Sequence, residues 1–108
     1  MDKLFNLKVE ARIVKIIEGI RNKHLNDPTV PQDKDLIVEI LLSDVHQAIQ
    51  TLNNLDEDDL EWISSRFDYL VYKFQNKGFT KCLKGLLIKF PKSAILKEDI
   101  YDALEIED

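Results

Sequence analysis

Apolar residues recur at steps of three and four along most of the chain. Val9, Ile13, Ile16, Ile17 and Ile20 fall on one side of a helix predicted over residues 3–24. Gly19 lowers its helix preference slightly. Asn26-Asp27-Pro28 closes it, because proline disfavours helix at the residue before it. The loop NDPTVPQD is the clearest break in the sequence. A second helix is predicted from Asp33 or Asp35 to Asn53. Ile37, Leu41, Ala48 and Leu52 define its main stripe, and Ile40, Leu42, Val45 and Ile49 widen it. A helix this apolar is expected to be central, with neighbours on more than one side.

The third helix is predicted over the stretch DEDDLEWISSRFDYLVYKF, residues 56–74. Asp56 suits the N-cap, and Glu57, Asp58 and Asp59 complement the positive end of the helix dipole. Leu60, Ile63, Phe67, Leu70, Val71 and Phe74 share one arc. Asn76-Lys77-Gly78 ends the helix, with Gly78 suited to a left-handed terminus. A fourth helix covers residues 79–90, with Phe79, Leu83, Leu86, Leu87 and Phe90 inward and Lys77, Lys81 and Lys84 outward. Pro91 stops it. A fifth covers residues 94–104, with Leu96, Ile100, Ala103 and Leu104 inward, and the terminal EIED is expected to fray.

No period-two segment bounded by turn signals interrupts this pattern, so the expected class is all-α, with about five antiparallel helices in one domain over residues 1–108. Two successive helical hairpins would repeat on the HEAT or armadillo scale. A short stack of that kind and a compact bundle both fit.

Composition narrows the setting. A single cysteine, Cys82, forms no internal disulfide, and no apolar run reaches the roughly 18 residues of a transmembrane helix. The segment MDKLFNLKVEARIVK carries charges throughout, unlike a signal peptide. A reducing, cytoplasmic setting without membrane contact is expected. The net charge of −5 conceals blocks. Residues 1–51 are nearly balanced, and residues 52–72 hold six acids and one base. Residues 73–97 hold seven lysines and no acid, and residues 98–108 hold six acids and no base. Such blocks shape the field around a domain, although a charged run is also simply a solvated helix face.

Candidate chemistry is sparse. His24 falls at the end of the first apolar stripe and reads as a core-edge or helix-terminal residue. His46 lies on the outer side of the second helix. Cys82 borders the fourth apolar stripe, where a free thiol is usually buried and inert, and no activating base accompanies it. The run DEDD lacks the alternation and glycine of a calcium loop. No phosphate loop or nucleophile elbow is present. The lysine block has the spacing of an amphipathic helix in an acidic chain, against the basic footprint of nucleic-acid binders. No catalytic residue, metal or cofactor is assigned, and nucleic acid is not expected as a partner.

One feature exceeds a single stripe. Trp62 and Tyr69, seven residues apart, nearly eclipse each other opposite the buried arc, with Tyr72 and Glu61 to the side. They form either a second packing face or a partner-binding patch, since Trp and Tyr are enriched at interface hot spots. The segment DDLEWISSRFDYLVYKFQNKGFTKCLKGLLIKFP, residues 58–91, resembles small helical immunity proteins of bacterial polymorphic toxin systems, best known from contact-dependent growth inhibition. The resemblance is one of texture, size and acidity. It implies a cytoplasmic, non-enzymatic inhibitor that binds a cognate toxin domain, a basic nuclease in many such systems, and blocks its active site or substrate groove. The candidate contact residues are Asp56, Glu57, Asp58, Asp59, Glu61, Trp62, Asp68, Tyr69 and Tyr72, with acids attracting the partner and aromatics anchoring it. The acidic tail from Glu98 to Asp108 is a second candidate surface. The alternative is a helical adaptor or regulatory subunit working through the wide apolar second helix. The oligomeric state and the toxin's identity are left open by the sequence.

Overall fold

Helix α1 (Lys3–Arg21) buries Ile13, Ile17 and Ile20 completely, with Val9 and Ile16 half-buried beside them. It stops three residues before the expected end, so His24 lies in the following loop, exposed, where its Nδ1 accepts from the Asn26 backbone N–H at 3.2 Å. The computed structural model describes residues 3–24 and 26–107, with side chains from 8 to 24 and from 26 to 105. In the loop, Asp27 accepts from both the backbone N–H and the hydroxyl of Thr29 at 2.8 and 2.6 Å. These bonds favour its charged form and hold its carboxyl below the usual value.

The expected second helix is two helices. Helix α2 (Val30–Leu42) begins earlier than predicted, with Pro31 in its first turn, where the missing N–H costs nothing. It ends at Ser43. Asp44 is extended (φ −161°, ψ 118°) and caps helix α3 (Val45–Asn54) by accepting from the Gln47 N–H at 3.1 Å. The break accounts for the excess apolar width. α2 buries Ile37, Val38 and Leu41, and α3 buries Ala48 and Leu52. Ile40, Leu42, Val45 and Ile49 pack half-buried against the same core.

The expected third helix is also divided. Helix α4 (Glu57–Ile63) gives way to a 3₁₀ turn at Ser64–Arg66, and helix α5 (Phe67–Phe74) follows. The Ser64-Ser65 pair is the local cause, since serine hydroxyls compete with the helical ladder. α5 ends at Gln75, which takes the left-handed conformation (φ 43°). Gly78 therefore does not provide the left-handed terminus. It sits inside helix α6 (Lys77–Lys89), which Asn76 caps by accepting from the Phe79 N–H at 3.0 Å. Helix α7 (Ala94–Glu107) runs past the expected end and continues as helix through the first residues of EIED. Asp108 and the side chains of residues 106 and 107 lie outside what is described.

Seven α-helices and the 3₁₀ turn account for the regular structure of the described residues, which include no strand. α5 packs most extensively on α7, α3 on α6, and α1 on α2 and α3, while α7 also meets α4 and α6. The final helix thus folds back over earlier ones rather than extending a stack. The radius of gyration, 13.2 Å, and extents of 35 × 34 × 24 Å match a compact body of this length, for which about 13 Å is expected. The compact bundle, with more and shorter helices than the five expected, is the architecture. Its core is continuous from Ile13 in α1 to Ala103 in α7.

Candidate functional site

The acidic residues that open α4 are largely committed within the fold. Asp56 caps α4 by accepting from the Asp59 N–H at 2.8 Å. Arg21, at the C-terminal end of α1, donates to both Asp58 and Asp59. The arrangement joins a negative helix end carrying a cation to a positive helix end carrying acids. Asp59 is buried, and burial, reinforced by the nearby charge of Asp56, pushes its carboxyl above the ordinary value while Arg21 pulls it down. Glu57 is half-buried.

Glu61 is also engaged. It accepts from the Ser93 hydroxyl at 2.6 Å, and that hydroxyl accepts in turn from the Leu96 N–H at 3.1 Å, capping α7. Three residues on, the buried Ser64 hydroxyl donates to Asp99 of α7. Each of the two neighbouring elements therefore supplies one serine and one carboxylate to the other. Asp99, from the second candidate acidic surface, is spent here, whereas Glu98, Asp102 and Glu105 are exposed.

The aromatics separate. Trp62 is half-buried and packs against the core. With Lys34, Asp58, Glu61 and Ile95 it lines a shallow depression of about 310 Å³. Lys34 is partly buried there, and this burial, aided by the charge of Arg66, draws its ammonium below the usual lysine value against the pull of Asp99. Tyr69 and Tyr72 project from α5 at 45% and 57% exposure, while Phe67, Leu70 and Val71 of the same helix are buried. Tyr69 lines a different concavity from Trp62, and the 3₁₀ turn, with fewer residues per turn than an α-helix, lies between them. The two residues that nearly eclipse on a regular helix thus line different concavities.

The concavity beside Tyr69 is a groove of about 600 Å³ between α2 and α5. Val38 and Leu42 supply its apolar lining, and Asp35, Glu39 and Asp68 supply carboxylates. Arg66, from the 3₁₀ turn, pairs with Asp35 at 3.2 Å and reaches the Pro31 carbonyl at 3.5 Å. Asp68 accepts from the Tyr69 backbone N–H at 2.7 Å, and Lys73 Nζ stands 5.7 Å from the Tyr69 ring centroid. The α2 acids are contact candidates the sequence reading missed. Their signal is the four-residue step from Asp35 to Glu39, which puts both on one face of a helix.

The remaining chemical candidates are quiet. Cys82 is 7% exposed, near the Ile49 carbonyl and Asn53 Oδ1, and burial pushes its thiol up to about 11. His46 is exposed on α3. Among the described residues, no three His, Cys, Asp or Glu side chains converge as metal ligands, and no helix is long and apolar enough to cross a membrane. Comparison with protein-family models, with curated proteins and with solved structures returns no match for the chain.

Proposed function

We propose that this chain is an immunity-type inhibitor. It binds a cognate, basic toxin domain in the bacterial cytoplasm and blocks that domain's active site or substrate groove, without turnover of its own. The observation that carries the reading is the outer side of α5. Tyr69 and Tyr72 stand about half exposed, flanked by Asp68 and clear of the core that the same helix builds. Exposed tyrosines give contact area at low entropic cost, and neighbouring acids steer a cationic partner. The contact set centres on Asp68, Tyr69 and Tyr72. The adaptor alternative drew on the apolar width of residues 35–53, and that width is consumed by the core in two helices.

The test is capture of the partner from the source cells with the tagged chain, followed by relief of toxicity on co-expression with the captured domain. A stoichiometric basic domain whose toxicity is relieved is expected. Tyr69→Ala with Tyr72→Ala should weaken the complex by roughly 10- to 100-fold, the range for hot-spot aromatics, with Tm unchanged. Recovery of a metabolic assembly, or of a domain whose toxicity is unaffected, would overturn the reading.

A further inference from the structure

We infer that the groove between α2 and α5 is an arginine-binding slot, the place where a guanidinium side chain of a basic protein partner inserts. The inference rests on the inhibitor reading and names the chemistry of its contact. The groove already handles cations from its own chain. Asp35 holds the Arg66 guanidinium on one side, and the Tyr69 ring has the Lys73 ammonium over its face. Two carboxylates are left over. Glu39 and Asp68 are exposed, and neither forms an ion pair among the described residues. Their charge exceeds what Arg66 neutralises, so the groove is complementary to an added cation rather than to an anion.

The apolar part decides which cation. Val38 and Leu42 line the groove beside the carboxylates, which suits a long aliphatic stem carrying its charge at the tip. Tyr69 forms one edge, and a planar guanidinium stacks on an aromatic face while donating to carboxylates in the same plane. A lysine ammonium makes a point contact and gains less from the ring. The exposed acids Glu98 and Asp102 on α7 do not line this groove.

Titration of the full chain, labelled with nitrogen-15, by a capped hexa-arginine peptide tests this, with hexa-lysine in parallel. The largest amide shifts are expected at Glu39, Leu42, Asp68 and Tyr69, with arginine the tighter ligand. Glu39→Gln combined with Asp68→Asn should weaken hexa-arginine binding about tenfold, since two charge-assisted contacts are lost. Both side chains are exposed, and an unchanged Tm confirms the fold; Glu39→Gln alone serves if it shifts. Largest shifts at Asp56–Asp58 or along α7, equal affinity for the two peptides, or an unaltered affinity in the variant would overturn the slot. So would groove shifts that depend on protein concentration without peptide, which would place a second copy there. Toxicity relief separates the two readings. Protection retained by the Glu39→Gln, Asp68→Asn variant removes the slot and leaves the inhibitor, whereas arginine binding by a chain that neutralises no toxin does the reverse.

Discussion

Cys82 illustrates how burial decides reactivity. Its thiol is buried on α6, and that burial disfavours the thiolate and raises its pKa from 9.0 to about 11. The folded chain therefore keeps this proton to higher pH than the unfolded chain does. Stability attributable to the site is intact below about pH 9 and falls as pH rises toward 11, by about 3 kcal/mol in all. Denaturant titrations across that range should show the decline in the parent chain and a flatter profile in Cys82→Ala. Alkylation at neutral pH should be slow until denaturant is added. Gln75 presents the opposite case, a backbone strain with no side-chain chemistry attached. Its φ of 43° lies in the region that penalises a Cβ. Gln75→Gly should raise stability by about 0.5–1 kcal/mol, read as a Tm increase of a few degrees. An unchanged or lower Tm would mean that the added freedom of the unfolded chain outweighs the relief.

At the scale of elements, the breaks organise the molecule. Asp44 and the Ser64-Ser65 pair each interrupt a run that periodicity reads as one helix. The interruptions let each shorter helix choose its own inward face. The pair formed by α4 with its 3₁₀ turn and α7 is fastened by Ser93 with Glu61 and Ser64 with Asp99. Ser93 does two tasks, capping α7 and donating to Glu61, and it is buried. Ser93→Ala is expected to cost about 1–2 kcal/mol, the loss of a cap with a half-buried carboxylate contact. Glu61→Gln, which keeps an acceptor, should cost less than half as much in the same chemical denaturation experiment. Equal losses would mean that the carboxylate charge, rather than the hydrogen bond, holds the two elements together.

For the whole molecule, the consequential division is between aromatics that hold the body together and aromatics that face outward. Trp62 packs against the core while Tyr72 is 57% exposed. Trp62→Ala should therefore lower stability by about 1–3 kcal/mol, whereas Tyr72→Ala should stay within about 0.5 kcal/mol. Thermal unfolding of the two variants compares them directly. A Trp62→Ala chain as stable as the parent would move that residue to the binding surface. The charge blocks also acquire positions. The acids at α4 fasten it to α1 through Arg21, while Lys77, Lys81 and Lys84 of α6 stand exposed without ion pairs among the described residues. The surface thus presents an acidic groove on α2 and α5 and a basic face on α6.

The helical class, the buried stripe from Leu60 to Val71 with Phe74 half-buried at its end, the cap at Asp56 and the inward faces of α6 and α7 were legible in the chain. Each depends on spacing and local hydrogen bonding, which sequence neighbours settle among themselves. Asp44 was legible in principle too, since an aspartate three residues before Gln47 is a helix-start signal, but a wide apolar run hid it. The engagement of Asp58 and Asp59 by Arg21 was not legible, because their partner lies nearly forty residues away in sequence and meets them only when α1 and α4 come end to end. The 3₁₀ turn between Trp62 and Tyr69 sets Ser64 against Asp99 on α7, a contact that no local pattern contains. The groove joining Asp35 and Glu39 to Asp68 and Tyr69 exists only because α2 packs beside α5. Local pattern determined which residues form helices and which faces turn inward. Long-range packing decided which charges are spent on the fold and which stay exposed.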